Sequence, residues 1–156
     1  MSMSGIIVVN EINYKDILTL CLGSEVHRQW FVKDIERLFI KPLEDDLARL
    51  FYRDGKIIGF GSWAFLSDEV TDAFITGSRK LQSDDWKSGN NIWVIDAIAP
   101  NKEIGSVGRW LRNHLVPYGQ QLGTNRCNWL RRKPDGSVRK IGLVIADEVK
   151  RIHMER

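Results

Sequence analysis

The stretch ARLFYRDGKIIGFGSWAFL, Ala48 to Leu66, decides how the rest of the chain is read. Aromatic and β-branched residues flank Asp54-Gly55, a pair suited to the left-handed backbone of a two-residue turn, so an antiparallel hairpin is expected here. Downstream, Ser67 with Asp68 and Glu69 behind it can cap a helix through Val70 and Phe74 that ends in the polar stretch Ser83 to Asn91. Ile92 to Ala99 reads as a strand stopped by Pro100. Strict alternation would put Ile92, Val94, Asp96 and Ile98 on one face, and Trp93, Ile95, Ala97 and Ala99 on the other. Ser106 can cap a helix whose apolar positions Val107, Leu111, Leu115, Tyr118 and Leu122 follow the 3.6-residue period, with Pro117 expected to kink it or end its first part. Asn125 to Arg132 is expected as a strand, Pro134-Asp135-Gly136 as a turn and Val138 to Ile141 as a segment pairing back. The last fifteen residues fit helix and strand nearly equally.

Upstream of the hairpin the pattern is helical. Asn13 to Leu22 carries Ile17, Leu18, Cys21 and Leu22 at helical spacing, with Gly23 as a stop that can adopt a positive φ. Ser24 can cap a second helix bearing Phe31, Ile35, Leu38 and Phe39, and Pro42 closes it. The expectation is therefore an α+β protein, a mixed sheet flanked by helices, with residues 1–156 forming a single domain. This order of elements is that of small acyltransferases of the N-acetyltransferase type, although fold alone does not set function.

Composition narrows the classes. With 43% hydrophobic and 28% charged residues the chain is globular rather than disordered. Its longest apolar runs, Ile6 to Val9 and Ile141 to Ala146, are far too short to span a bilayer, and no signal-peptide pattern is present, so a cytosolic protein is expected. Cys21 and Cys127 stand far apart without metal-ligand spacing and read as reduced thiols; no metal site is expected. Charge is uneven. The whole chain carries +3, yet residues 109 to 140 hold eight basic side chains against Asp135 alone, for +7, leaving −4 elsewhere. That basic segment should attract something acidic: nucleic acid, an acidic protein or a phosphorylated cofactor.

A carboxylate on an apolar strand face needs a partner, because desolvation penalises its charged form, and Asp96 is such a residue. Of the three histidines, His27 is the candidate: with Ser24 as cap it would occupy the third helical position, where the positive helix end favours a neutral base. A carboxylate on one ring nitrogen fixes the tautomer and leaves the other nitrogen free to accept a proton. A structural salt bridge for Asp96 remains the competing reading. The chain has no G-x-S-x-G, Walker loop, H-E-x-x-H or G-x-G-x-x-G, so hydrolase, NTPase, zinc-protease and Rossmann readings lose their support.

Ser24-Glu25-Val26-His27-Arg28-Gln29-Trp30, Gly61-Ser62-Trp63-Ala64, Asp85-Trp86-Lys87-Ser88-Gly89 and Ile95-Asp96-Ala97-Ile98-Ala99-Pro100 together resemble the toxin-activating lysine acyltransferases of the haemolysin C family, in that family's order and spacing. The resemblance covers residues 13 to 118; residues 119 to 156 form a divergent basic part. It implies an N-acetyltransferase-like fold, a tendency to form homodimers and a bacterial cytoplasmic enzyme. The implied reaction moves a fatty acyl group from acyl carrier protein to internal lysines of an RTX-type protoxin. It implies no bound cofactor, the donor being a 4′-phosphopantetheine thioester co-substrate. The family's catalytic histidine falls on His27 and its aspartate on Asp96. Ser24 is expected to position His27, Arg28 to lie in the same motif, and Trp30 and Trp63 to belong to the core or the wall of an acyl channel.

Two other readings are weighed against this one. A coenzyme A-dependent N-acetyltransferase wants a pyrophosphate loop at a helix N-terminus, which Lys102 to Gly108 matches only in part. A non-enzymatic nucleic-acid module would use the +7 segment with Trp110 or Trp129 stacking on bases. The same segment, through Arg109, Arg112, Arg131, Arg132 and Lys133, is the expected docking face for an acidic carrier protein.

Overall fold

The structure, a computed structural model, describes residues 5–124, 126–132 and 138–144. Six strands form one sheet in sequence order: β1 (Ile7–Val9), β2 (Ala48–Arg53), β3 (Lys56–Leu66), β4 (Asn91–Ile98), β5 (Arg126–Arg132) and β6 (Val138–Val144). All neighbours are antiparallel except β4 and β5. A parallel pair needs a crossover, and helix α5 (Ile104–Leu122) supplies it. The α+β reading with a mixed sheet holds. At Asp54 and Gly55 φ is +53° and +77°, the left-handed pair expected for the β2–β3 turn. β1 is an addition; three residues are too few to display an alternating pattern. The expected turn at Pro134-Asp135-Gly136, and the chain after Val144, lie outside the described residues.

The helices agree with their capping residues in some places and depart in others. α1 (Tyr14–Leu22) starts at Asn13, whose side chain accepts the Asp16 N–H at 3.0 Å. It stops at Gly23, although with an ordinary φ of −85°. Ser24 does not open an α-helix. The chain makes a 3₁₀ turn at His27–Gln29 and only then enters α2 (Val32–Ile35), so the helix end expected beneath His27 is absent. Pro42 does not close the region: a π-helical turn, Glu36–Ile40, carries the chain into α3 (Lys41–Glu44). Proline has no N–H to offer, and the wide turn before it absorbs the missing ladder bond. α4 (Asp68–Thr76) begins at Ser67, whose hydroxyl accepts the Val70 N–H, and ends at Gly77, with φ of +73°. α5 begins at Glu103 rather than Ser106 and runs through Pro117, which sits on its exposed side where water can satisfy the freed carbonyl.

α5 covers one sheet face and α1 to α3 the other. Gly59 and Gly61 let α5 approach: a Cβ on Gly59 would lie 2.7 Å from Val107 Cγ2 and 2.9 Å from the Ile98 carbonyl oxygen. On the opposite face Ile17, Leu20, Phe39, Leu43, Leu50, Phe60 and Ile98 form a second buried cluster.

The feature that positions the site is a β-bulge. Ser62 pairs with Asp96 but Trp63 pairs with Val94, which leaves Ile95 as an extra residue on β4. Directly opposed residues share a face. Trp63 contacts Trp110 and His114 of α5, so Val94 faces α5; Phe60 packs on Phe39, so its pair-mate Ile98, and with it Asp96, faces α1 to α3. The expected alternation, with Val94 and Asp96 on one face, is thus overturned by one inserted residue.

Candidate active site

The bulge turns Asp96 toward the 3₁₀ turn that follows α1. There the Asp96 carboxylate accepts a hydrogen bond through Oδ2 from His27 Nε2, at 2.7 Å. A carboxylate only accepts, so Nε2 carries the proton and Nδ1 is left as an acceptor. Nδ1 is not free: Ser24 Oγ lies 2.5 Å away and donates to it. The cap bond expected of Ser24 exists only as a long contact, from the His27 N–H at 3.4 Å. The three side chains form a hydrogen-bonded chain, Ser24 to His27 to Asp96, drawn from the segment between α1 and α2 and from β4.

The imidazole is 9% exposed and the Asp96 carboxylate 16%, so the pair is shielded without being sealed. Trp30 packs on the imidazole at a centroid distance of 4.5 Å, and Phe39, itself against Trp30, lies edge-on to it at 6.1 Å. Ser24, His27 and Asp96 open into a cavity of about 550 Å³, within the usual range for small-molecule sites. Its walls are mixed: Trp30, Phe74, Ile95, Trp129 and Leu130 supply apolar surface, while Asp34, Arg37, Arg79 and Lys80 add charge. β4 and β5 pair at Trp93–Asn128 and Val94–Trp129, and the cavity begins where that pairing gives way to Ile95, Asp96 and Leu130.

Of the residues read from the sequence, the structure brings together Ser24, His27, Trp30 and Asp96. Arg28 is exposed and does not line the cavity. Trp63 is fully buried on the α5 side, against Trp110 and His114, and is core rather than channel wall. Arg109 and Arg112 belong to α5, which packs on the sheet face away from His27. Arg131 and Arg132 follow cavity-lining Leu130 along β5, and Lys133 lies outside the described residues. Sequence reasoning missed two things: the bond from Ser24 to the imidazole, and the buried Ser62 opposite Asp96. The S-x-x-H spacing was the signal for the first, since three residues of a tight turn bring side chains together.

Cys21 and Cys127 are buried free thiols. Burial first, and then the Asp96 charge, push Cys21 up to about 11; burial pushes Cys127 up to about 12. Neither is an activated nucleophile. Among the described residues no cluster of three or more His, Cys, Asp and Glu side chains could hold a metal ion, and no helix is long and apolar enough to cross a membrane.

A bulged central strand, a parallel β4–α5–β5 unit and a cleft where the parallel pair parts define a protein of the GNAT acetyltransferase fold. Solved structures agree on that architecture. The N-acetylglutamate synthase of Neisseria gonorrhoeae superposes with a TM-score of 0.50 at 10% identity, over 86% of this chain and 27% of that one. The loading GNATL domain of CurA from Lyngbya majuscula does so with a TM-score of 0.50 at 15% identity, over 85% and 69%. Within this fold the sequence is more specific: the model of the RTX toxin acyltransferase family matches residues 14–142, and the chain belongs to that family. It is 37% identical over 102 residues to the RTX-II toxin-activating lysine-acyltransferase of Actinobacillus pleuropneumoniae, covering 65% of this chain and 63% of the relative. To the lysine-acyltransferase RtxC of Vibrio cholerae it is 31% identical over 115 residues, 70% and 74% of the two chains. To the protein-lysine myristoyltransferase RtxC of Kingella kingae it is 36% identical over 84 residues, 54% and 50%. The chain thus spans from about half to three quarters of the length of these relatives.

Proposed function

We propose that this protein transfers a fatty acyl group from acyl carrier protein to the ε-amino group of internal lysines of an RTX-type protoxin. The observation that carries the reading is the hydrogen-bonded chain Ser24–His27–Asp96 opening into a cavity with an apolar wall of Trp30, Phe74, Ile95, Trp129 and Leu130 and a charged rim. Names of the relatives, a lysine acyltransferase and a lysine myristoyltransferase among them, support the acceptor and the kind of group moved.

The chemistry follows from the geometry. A free lysine has a pKa near 10.4 and must lose a proton before it attacks a thioester. The neutral amine adds to the thioester carbonyl, the carbon–sulfur bond breaks, and the products are an amide and a carrier thiol. Overall the nitrogen gives up a proton and the departing sulfur gains one. His27 Nδ1 is the proton acceptor, and Ser24 lies on the path to it. Ser24 takes the proton from the amine as it passes its own to Nδ1. Asp96, bonded at Nε2, holds the productive tautomer and balances the imidazolium that forms. Returning that proton to the sulfur closes the cycle. The apolar part of the wall, Trp30, Phe74, Ile95, Trp129 and Leu130, suits an alkyl chain.

The test is acyl transfer from acyl carrier protein to a protoxin fragment by wild type and His27→Ala, each verified as folded by circular dichroism. A loss of at least about 10²-fold is expected, the usual scale of general acid–base contributions. Full activity in folded His27→Ala would sink the mechanism. Efficient acetylation from acetyl-coenzyme A in place of the carrier protein would replace the donor.

A further inference from the structure

Ser62 is fully buried in the centre of the sheet, and among the described residues its hydroxyl has no hydrogen-bond partner. A buried hydroxyl without a partner is costly, and alanine would fill the same place without that cost. Its position is specific. Ser62 is the residue directly opposite Asp96 across the β3–β4 pairing, on the same face, at the step where the bulge begins. Directly opposed residues have Cβ atoms about 4.5–5.5 Å apart, within reach of a rotating hydroxyl. Asp96 commits one oxygen, Oδ2, to His27, and a carboxylate can accept roughly four hydrogen bonds.

We propose that Ser62 is a positioning residue, whose hydroxyl donates to the Asp96 carboxylate and holds it in the rotamer that receives His27 Nε2–H. The assignment rests on the His27–Asp96 chemistry proposed above. The bond forms as the imidazolium–carboxylate pair develops, since catalytic hydrogen bonds are often long in the free enzyme and tighten along the reaction. Cys21, whose thiol feels the Asp96 charge, is a weak donor by comparison and cannot substitute for a hydroxyl. Ser62 never meets the substrate. It acts through Asp96 alone.

Stability and activity should move in opposite directions, which separates this role from packing. Ser62→Ala should keep or raise the melting temperature, because it removes an unsatisfied group. It should also lower kcat about tenfold, the scale of one hydrogen bond to a charged acceptor, with the donor KM unchanged within about twofold. Ser62→Thr, which restores the hydroxyl, should recover most of that kcat; if its extra methyl prevents folding, Ser62→Cys should fall between serine and alanine. A second readout needs no turnover: in buffer acidic enough to create the imidazolium–carboxylate pair without substrate, the proton shared by His27 Nε2 and Asp96 should differ in NMR shift between wild type and Ser62→Ala. Wild-type kcat and an unmoved proton in folded Ser62→Ala would overturn the proposal. So would a fall in melting temperature that accounts for the lost activity. A shifted proton in a protein that transfers no acyl group from any donor would support the placement of Ser62 while overturning the acyltransfer reading.

Discussion

Replacing Asp96 with Asn removes one charge and almost no volume, so it isolates what the carboxylate does. In the wild type Asp96 Oδ2 sits 2.7 Å from His27 Nε2, with the two side chains 16% and 9% exposed. Once His27 takes the proton, an imidazolium faces a carboxylate with charge centres about 4 Å apart. At an effective dielectric constant of about 20, suited to a shielded but not dry pair, that attraction is about 4 kcal/mol. Asparagine forfeits most of it. Since each 1.36 kcal/mol is tenfold in rate, kcat should fall by about 10³-fold. The asparagine amide can also turn its N–H₂ toward the ring and favour the tautomer with Nδ1 protonated, which blocks proton uptake from Ser24 and deepens the loss. The assay is single-turnover acyl transfer to a protoxin fragment at saturating acyl carrier protein, with near-UV circular dichroism confirming the fold. A folded Asp96→Asn protein retaining more than a fifth of the wild-type rate would refute the electrostatic argument and leave Asp96 a structural partner of His27.

Gly59→Ala should lower stability by about 1–3 kcal/mol, read from denaturant unfolding, because its Cβ would meet Val107 Cγ2 at 2.7 Å and the Ile98 carbonyl at 2.9 Å and push α5 from the sheet. Arg79 hydrogen-bonded to Asp85 outweighs burial and holds that carboxyl below the usual range, so its contribution is present above the unfolded pKa and is lost as pH falls through the folded one. Asp85→Asn should therefore lower the melting temperature at pH 7 by about 2–4 °C, and the gap should close toward pH 2. The carrier-docking role proposed for Arg131 and Arg132 predicts that Arg131→Glu/Arg132→Glu slows association with acyl carrier protein, seen by stopped flow, while kcat at saturating donor stays near wild type. Equal on-rates at all salt concentrations would remove that role.

What was legible in the sequence is what depends on near neighbours. Asp54-Gly55 encodes its own turn, Ser67 its own cap, and the S-x-x-H and I-D-x-I-A-P elements their own identity. Pro42 and Pro117 misled because a proline is a breaker only where nothing compensates; a π turn before one and solvent around the other supply the compensation. Net charge located a basic segment but not its faces, and Arg109 and Arg112 lie on a helix across the sheet from His27.

The bulge is the deeper case. A period-two template assumes that every residue on β4 has a partner on β3, and Ile95 has none. Without that extra residue, Asp96 would share a face with Ile92 and Val94 and point at α5, where Val107, Leu111 and Leu115 form the wall of an apolar core. There its charge would be stranded, and His27, on the far side of the sheet, would have no acceptor. The strand instead breaks its own rule at one position, and Ile95 and its neighbour Asp96 both border the cavity. One of them supplies apolar wall and the other the charge. Local sequence could name Asp96 as a carboxylate in need of a partner; the pairing register of β3 against β4 decides which side of the sheet that partner must stand on.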